Sequence, residues 1–351
     1  MLEECAYAYT FDNRSARPGY RERAGFIFIG MSTPVKPFLS IVDQIARIKS
    51  RGMQIDDEAK AARWLEAVGY YRLSGYWHPF RLPDPTDPGR RLDTFATGTT
   101  FQEVVQLYEF DRHLKSLIHS GLERVEVAMR SQIGYTLGRH DPLAYKDSQL
   151  FRSTFAHNAW NATAGNRIAR GRGRDQFIDH HDAKYGSQLP IWVLTDVLDF
   201  ADISKLFDGM ISVDQRAVAD WFDLAPRPDA SKNQKKKWSR RHPLANWLLH
   251  LTIVRNICAH HGRLWNRQLT PLSTPATAHL PGFDGLPADQ TEHVYGTICI
   301  IAFLLRSTSP GNSWTSKVEA LVEGSFSKFN HRSVSEMGFP SNWKELPLWA
   351  E

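Results

Sequence analysis

The feature that most limits what this chain can become is one long amphipathic stretch. Thr100-x-x-Glu103 carries the residue types of a helix-opening capping box. From there Val104, Leu107, Tyr108, Leu114, Leu117, Ile118, Leu122, Val125, Met129 and Ile133 hold the three-to-four spacing of one helix face until Gly138.

Helical punctuation continues on both sides. Ser40 caps a helix carrying Ile41, Ile45 and Ile48, with Gly52 beyond its end. Asp56 offers the cap for residues 57–68, where Ala61, Trp64, Leu65 and Val68 share a face before Gly69. Tyr70 to Phe80 holds five aromatics in eleven residues, too dense for a solvated loop, and reads as core. Residues 83–98 read as a Pro/Gly/Asp-rich connection, and 141–186 as less regular. Pro190 suits the first turn of a helix through Trp192, Leu194, Val197, Leu198 and Phe200, and a further helix is expected over 213–223. Pro243 starts another, with Leu244, Trp247, Leu248, Leu251, Val254 and Cys258 as its buried seam. After a Pro/Gly/Thr-rich loop at 270–287, Val294, Ile298, Ile301, Leu304 and Leu305 mark a last strong helix. There is no βαβ pattern, no long-period repeat and no sustained heptad array. The expected class is mainly α: an irregular extension over 1–35, an N-terminal helical subdomain over 36–98, a helical core over 99–310, and a C-terminal helix and tail over 311–351.

Composition narrows the function classes. With 42% hydrophobic and 23% charged residues the chain is not globally disordered. Cys5, Cys258 and Cys299 are too few and scattered for a disulfide framework or a CxxC zinc site, so a reducing cytoplasm is expected. The longest apolar run, Ile298 to Leu305, is far short of the ~18 residues that span a membrane. Residues 1–30 show no helical or strand period, and Met31 opens a stretch that reads like an ordinary protein start. They are either an upstream extension or a genuine irregular tail.

The phosphate-binding, dinucleotide, zinc-protease and hydrolase motifs are absent, which leaves those chemistries without support. Asp179-His180-His181-Asp182 reads as solvated surface, because adjacent ligands on a helix diverge by ~100° and no second cluster is an obvious partner. Arg255-Asn256-Ile257-Cys258-Ala259-His260 is different. It puts an arginine, an asparagine and a histidine at the end of a helix otherwise built for burial, with Asn256 and His260 four apart on one face. RNA phosphodiester cleavage suits such a set: an imidazole to move protons and a guanidinium to hold a phosphate. Spacing alone also selects Arg72/His78, Arg112/His119, Arg152/His157 and Arg174/His180. The plainer reading of Arg255 and His260 is a capping histidine and an ion-paired arginine at a helix C-terminus. On the long helix, Arg124, Glu126 and Arg130 read as a solvated face with one i,i+4 pair.

The wider context resembles the Abi-like (AbiD/AbiF) abortive-infection proteins of the HEPN superfamily, over roughly residues 35–350. The matching segments are Lys36-Pro37-Phe38-Leu39-Ser40 with Arg51-Gly52-Met53, the block Tyr70-Tyr71-Arg72-Leu73-Ser74-Gly75-Tyr76-Trp77, and Tyr108-Glu109-Phe110-Asp111-Arg112. Others are Glu123 to Arg130, Leu189-Pro190-Ile191-Trp192-Val193-Leu194, Gly338-Phe339-Pro340 with Trp343, and Arg255-Asn256-x-x-x-His260 followed by Leu264-Trp265-Asn266-Arg267. The resemblance implies a HEPN-type helical bundle and a metal-independent endoribonuclease that needs no cofactor. It implies a homodimer whose two motifs face each other, with Arg255 on the phosphate, His260 as acid or base and Asn256 orienting one of them. It also implies a toxin-like role in phage defence, with a cognate RNA or protein antitoxin as a partner class. A non-catalytic RNA-binding or sensing module and a toxin–antitoxin interaction protein stand as alternatives.

The formal charge of +5 is unevenly placed. Arg167, Arg170, Arg172 and Arg174 fall in one segment, and Lys232, Lys235, Lys236, Lys237, Arg240 and Arg241 in another, neither containing an acid. The remainder of the chain is therefore mildly acidic. These ten residues are the expected RNA track.

Overall fold

The structure, a computed structural model, describes residues 35–226, 228–240, 242–272, 283 and 292–349. The expectations for residues 1–30, for Arg241, for the Lys237 side chain and for most of the 270–287 loop lie outside the described residues. The chain divides into Met1–Leu39 and Ser40–Glu351. Of the first, residues 35–39 carry no regular secondary structure.

From Ser40 onward the fold is mainly α, organised by the long helix. In chain order come α1 (Ile41–Ser50), α2 (Glu58–Val68), α3 (Tyr70–Trp77), strands β1 (Arg81–Asp84) and β2 (Asp87–Phe95), and α4 (Phe101–Gly138). Then follow α5 (His157–Gly171), α6 (Gln176–Tyr185), α7 (Ile191–Val197), α8 (Phe200–Gly209), α9 (Ser212–Asp220), α10 (Lys232–Arg240), α11 (Pro243–Ala259), α12 (Val294–Thr308) and α13 (Trp314–Phe326). At ~1.5 Å per residue α4 is about 57 Å long, enough to carry partners along its whole length. Helices α3, α7, α8, α9, α11, α12 and α13 all pack against it. Among the glycines of α4, Gly121 has the least room: a Cβ there would stand 2.6 Å from Ile301 Cγ2 and 3.0 Å from Trp314 Nε1. No helix among the described residues is long and apolar enough to cross a membrane.

Local departures from expectation have local causes. The cap of α2 is Asp57, whose carboxylate accepts from Lys60 N–H, one residue later than expected. Thr100 accepts from Glu103 N–H, but the Glu103 carboxylate does not complete the box. It accepts instead from the backbones of Asn330 and His331 and pairs with the His331 ring. Residues 81–95 form an antiparallel β1–β2 ribbon where a connection was expected. The helix expected through Phe200 breaks after α7: Leu198 is extended, and an Asp199/Asp202 capping box starts α8. Residues 141–186 contain two helices, α5 and α6. Arg130 is half-buried, binding Glu126 and the carbonyls of Thr195 and Leu198, so this pair braces the α7–α8 junction and is not a solvated face.

Helix α11 and its N-cap residue carry two buried histidines, His250 and His242. His250 sits between the Thr270 carbonyl, 2.8 Å from Nδ1, and Thr297 Oγ1, 2.7 Å from Nε2, an arrangement a neutral imidazole satisfies by donating to the carbonyl and accepting from the hydroxyl. Burial pushes its pKa down to about 4. His242 is also pushed down to about 4, by burial and then by the nearby Arg152 and Arg216 guanidiniums. In the unfolded chain both take a proton below about 6.5, so the unfolded state binds more protons between there and about 4. Unfolding free energy should therefore be constant with respect to these groups above pH ~6.5 and fall as pH drops towards ~4, by roughly 2–3 kcal/mol for each histidine. Urea titrations across this range, compared with His250→Gln, measure the contribution; an equal fall in the variant would contradict it.

Candidate functional site

The candidate motif lies where α11 ends. Its apolar seam is buried as expected, with Leu244, Trp247, Leu248, Leu251, Val254 and Cys258 all inside. Asn256 and His260 are exposed and Arg255 is half-buried. His260 is the C-cap, its N–H bonded to the Asn256 carbonyl, so the helix stops on the histidine. The Nε of Arg255 is buried with no hydrogen-bond partner among the described residues. Such a group costs free energy, and the Nε of Arg332 is buried in the same way.

The turn beyond His260 has a Schellman pattern. Gly262 N–H reaches the Ile257 carbonyl, and His261 N–H reaches Cys258. His261 occupies the left-handed position with φ of 56°, which glycine fills most cheaply. The strained residue is thus the neighbour of the candidate acid/base.

What holds this turn comes from far earlier in the chain. Asp111 of α4 is fully buried and accepts from the backbone N–H groups of Leu264, at 3.1 Å, and Trp265, at 2.7 Å. It also accepts from Tyr76 Oη at 2.7 Å and from Lys115 Nζ at 2.9 Å. Lys115 in turn donates to the Gly262 carbonyl. Burial, then the Asp111 charge, pushes the Tyr76 phenol well above its usual range, so it remains a donor. From α3, Arg72 Nη1 donates to the His261 carbonyl at 2.6 Å, while Arg263 Nη1 donates back to the Gly75 carbonyl. Burial pulls the Arg263 pKa below its ordinary value, with the Asp111 charge opposing. The aromatic block is therefore core as expected at Leu73, Tyr76, Trp77 and Phe80, but its polar edge is a clamp on the motif loop.

A family model described as Abi-like protein matches residues 63–266, more than half of the chain. The chain belongs to the Abi-like family. The matched span of this Abi-like chain holds both the clamp and the motif. No curated protein and no solved structure matches it.

The two basic segments sit differently. Arg167 pairs with Asp199 and Asp202, Arg170 reaches Asp199 at 3.8 Å, and Arg172 pairs with Asp182 at 2.7 Å. Arg174 is exposed with no ion pair among the described residues. Asp182 is engaged by Arg172, and Asp179 accepts from Gly173 N–H. The second segment is helix α10, with Lys232, Lys235, Lys236 and Arg240 exposed. It precedes α11, whose far end, about 25 Å from its start, carries His260. Asp111, Lys115 and Arg72 were not anticipated as site residues. The signal lay in the long helix, where Asp111 and Lys115 interrupt the buried stripe of Leu107, Leu114 and Ile118. A charge at a seam position needs a buried partner.

Two stability predictions follow from this loop. Asp111→Asn leaves Lys115 without its counter-charge and should cost about 3 kcal/mol, with Asp111→Asn/Lys115→Met regaining part of the loss. His261→Gly should stabilise the fold by about 1 kcal/mol by relieving the left-handed backbone. Urea denaturation reads both; a destabilised glycine variant would show that the His261 ring makes compensating contacts.

Proposed function

We propose that this chain is a metal-independent endoribonuclease and that it acts as a toxin-like effector of abortive infection in phage defence. The observation that carries the reading is the end of α11. The exposed His260 caps the helix through its backbone N–H, a little over one turn beyond an arginine whose buried Nε lacks a partner among the described residues, and leads into a loop fixed by Asp111. Membership of the Abi-like family supports the defence role.

In the proposed reaction His260 takes the proton of a ribose 2′-hydroxyl. The 2′-oxygen attacks the adjacent phosphorus, the P–O5′ bond breaks, and the departing 5′-oxygen receives a proton. The products are a 2′,3′-cyclic phosphate and a 5′-hydroxyl. Arg255 holds the phosphate and offsets charge developing on its oxygens, and Asn256, exposed on the same face as His260, orients Arg255 or His260. One imidazole cannot serve as base and acid in the same instant, so a homodimer that brings a second copy's His260 to the phosphate completes the pair. RNA is the partner and no cofactor is required. The proposed track is the exposed row Lys232, Lys235, Lys236 and Arg240 on α10, with Arg174. Arg167, Arg170 and Arg172 are already engaged by carboxylates and contribute less.

Arg255→Ala and His260→Ala should each lower the cleavage rate of single-stranded RNA by at least about 100-fold while the melting temperature stays close to that of the parent. Cleavage by the parent should persist in EDTA and leave cyclic phosphate ends. Undiminished cleavage by both variants would refute the assignment. RNA binding without cleavage by the parent would instead favour the non-catalytic RNA-binding reading.

A further inference from the structure

The C-terminal end of α11 carries more positive charge than its own architecture requires. Arg255 belongs to the helix, Arg267 to the loop, and Arg72 reaches in from α3. None of the three forms an ion pair among the described residues. The Arg267 guanidinium lies 3.7 Å from where a Cβ on Gly262 would stand. Over residues 260–267, the carboxylate hydrogen-bonded to the loop is Asp111, and it already accepts from four donor groups. The helix dipole offers about half a charge of compensation, which does not balance three guanidiniums.

Arg72 is the most informative of them. It is exposed, and a single nitrogen, Nη1, contacts the His261 carbonyl. Holding a carbonyl takes one N–H, which a neutral amide also supplies. A guanidinium adds four more donors and a full charge at the residue that follows the candidate acid/base. Chain geometry bounds the separation: the contact places Nη1 within about 9 Å of the His260 Cα. That upper bound is comparable with the Debye length of about 8 Å in physiological salt.

We propose that Arg72 is a second phosphate-binding residue of the site, contacting the RNA backbone beside the phosphate held by Arg255. The inference rests on the ribonuclease reading for its substrate and extends the site to the N-terminal aromatic block. RNA binding is then shared between two parts of the chain, with α3 both clamping the motif loop and contacting the ligand. The contact is to phosphate, so it is independent of base sequence.

The test uses the full chain carrying His260→Ala and a fluorescently labelled twelve-nucleotide single-stranded RNA of mixed sequence. Arg72→Gln removes the charge and leaves an amide donor on a shorter side chain; Arg72→Lys keeps the charge. Arg72→Gln should weaken binding about tenfold and reduce the slope of log affinity against log salt by about 0.7, with Arg72→Lys close to the parent. Unchanged affinity and slope in Arg72→Gln would overturn the proposal. If that variant does not fold, phenylglyoxal footprinting of the His260→Ala chain decides: RNA should protect Arg72 from modification, and absence of protection overturns the proposal. The two readings fail separately. Cleavage by the parent with Arg72 neither protected nor needed for binding removes this inference alone. Protection of Arg72 in a chain that never cleaves RNA removes the ribonuclease reading and leaves the binding site.

Discussion

The buried carboxylate of Asp111 is the interaction on which the rest of the site depends. A charge with no access to solvent is stable only if its lone pairs are filled, and here two backbone amides, a phenol and an ammonium fill them. The amides belong to the loop after α11, the phenol to α3 and the ammonium to α4. One carboxylate thereby fixes where three elements meet. Because a buried ion pair is weak evidence for stability on its own, its value here is geometric. It determines how the chain turns after His260, and so where the helix presents its imidazole.

That geometry gives the motif its context. Arginine-to-histidine spacings of this kind recur through the chain, and the structure sets two of them apart. Arg112 is held by Glu109 at 2.8 Å, and Arg152 is committed to the carbonyls of Met210, Ser239 and Arg240. Arg255 lacks such a partner at Nε, while His260 is exposed. The Abi-like match spans the clamp and the motif together.

Much of this was legible in the sequence, and what was not has identifiable causes. α4 and α11 declared themselves through caps and long apolar seams, whose periodicity survives in any context. The β1–β2 ribbon escaped notice because both of its faces are largely polar, leaving no alternation to read. Helix α10 has Trp238 as its one buried apolar anchor, but Ser231 and Gln234 bond reciprocally at its start, a capping signal present in the sequence and overlooked. The clamp was hidden for a deeper reason. Arg72, Asp111 and His261 are remote in sequence, and no local period encodes which buried charge will meet which backbone amide.

That remoteness has a consequence for how the molecule comes into being. The contact from Arg72 to His261 closes 189 residues of chain, and that from Asp111 to Leu264 closes 153. Loops so large are slow to close and are formed late when a chain folds. During synthesis α3 and α4 emerge first, with a buried-type aspartate and lysine awaiting partners that do not yet exist. The turn bearing His260 acquires its shape only after the segment through Trp265 has been made and docked. Completion of the motif is therefore also a check that the two distant parts of the polypeptide have found each other.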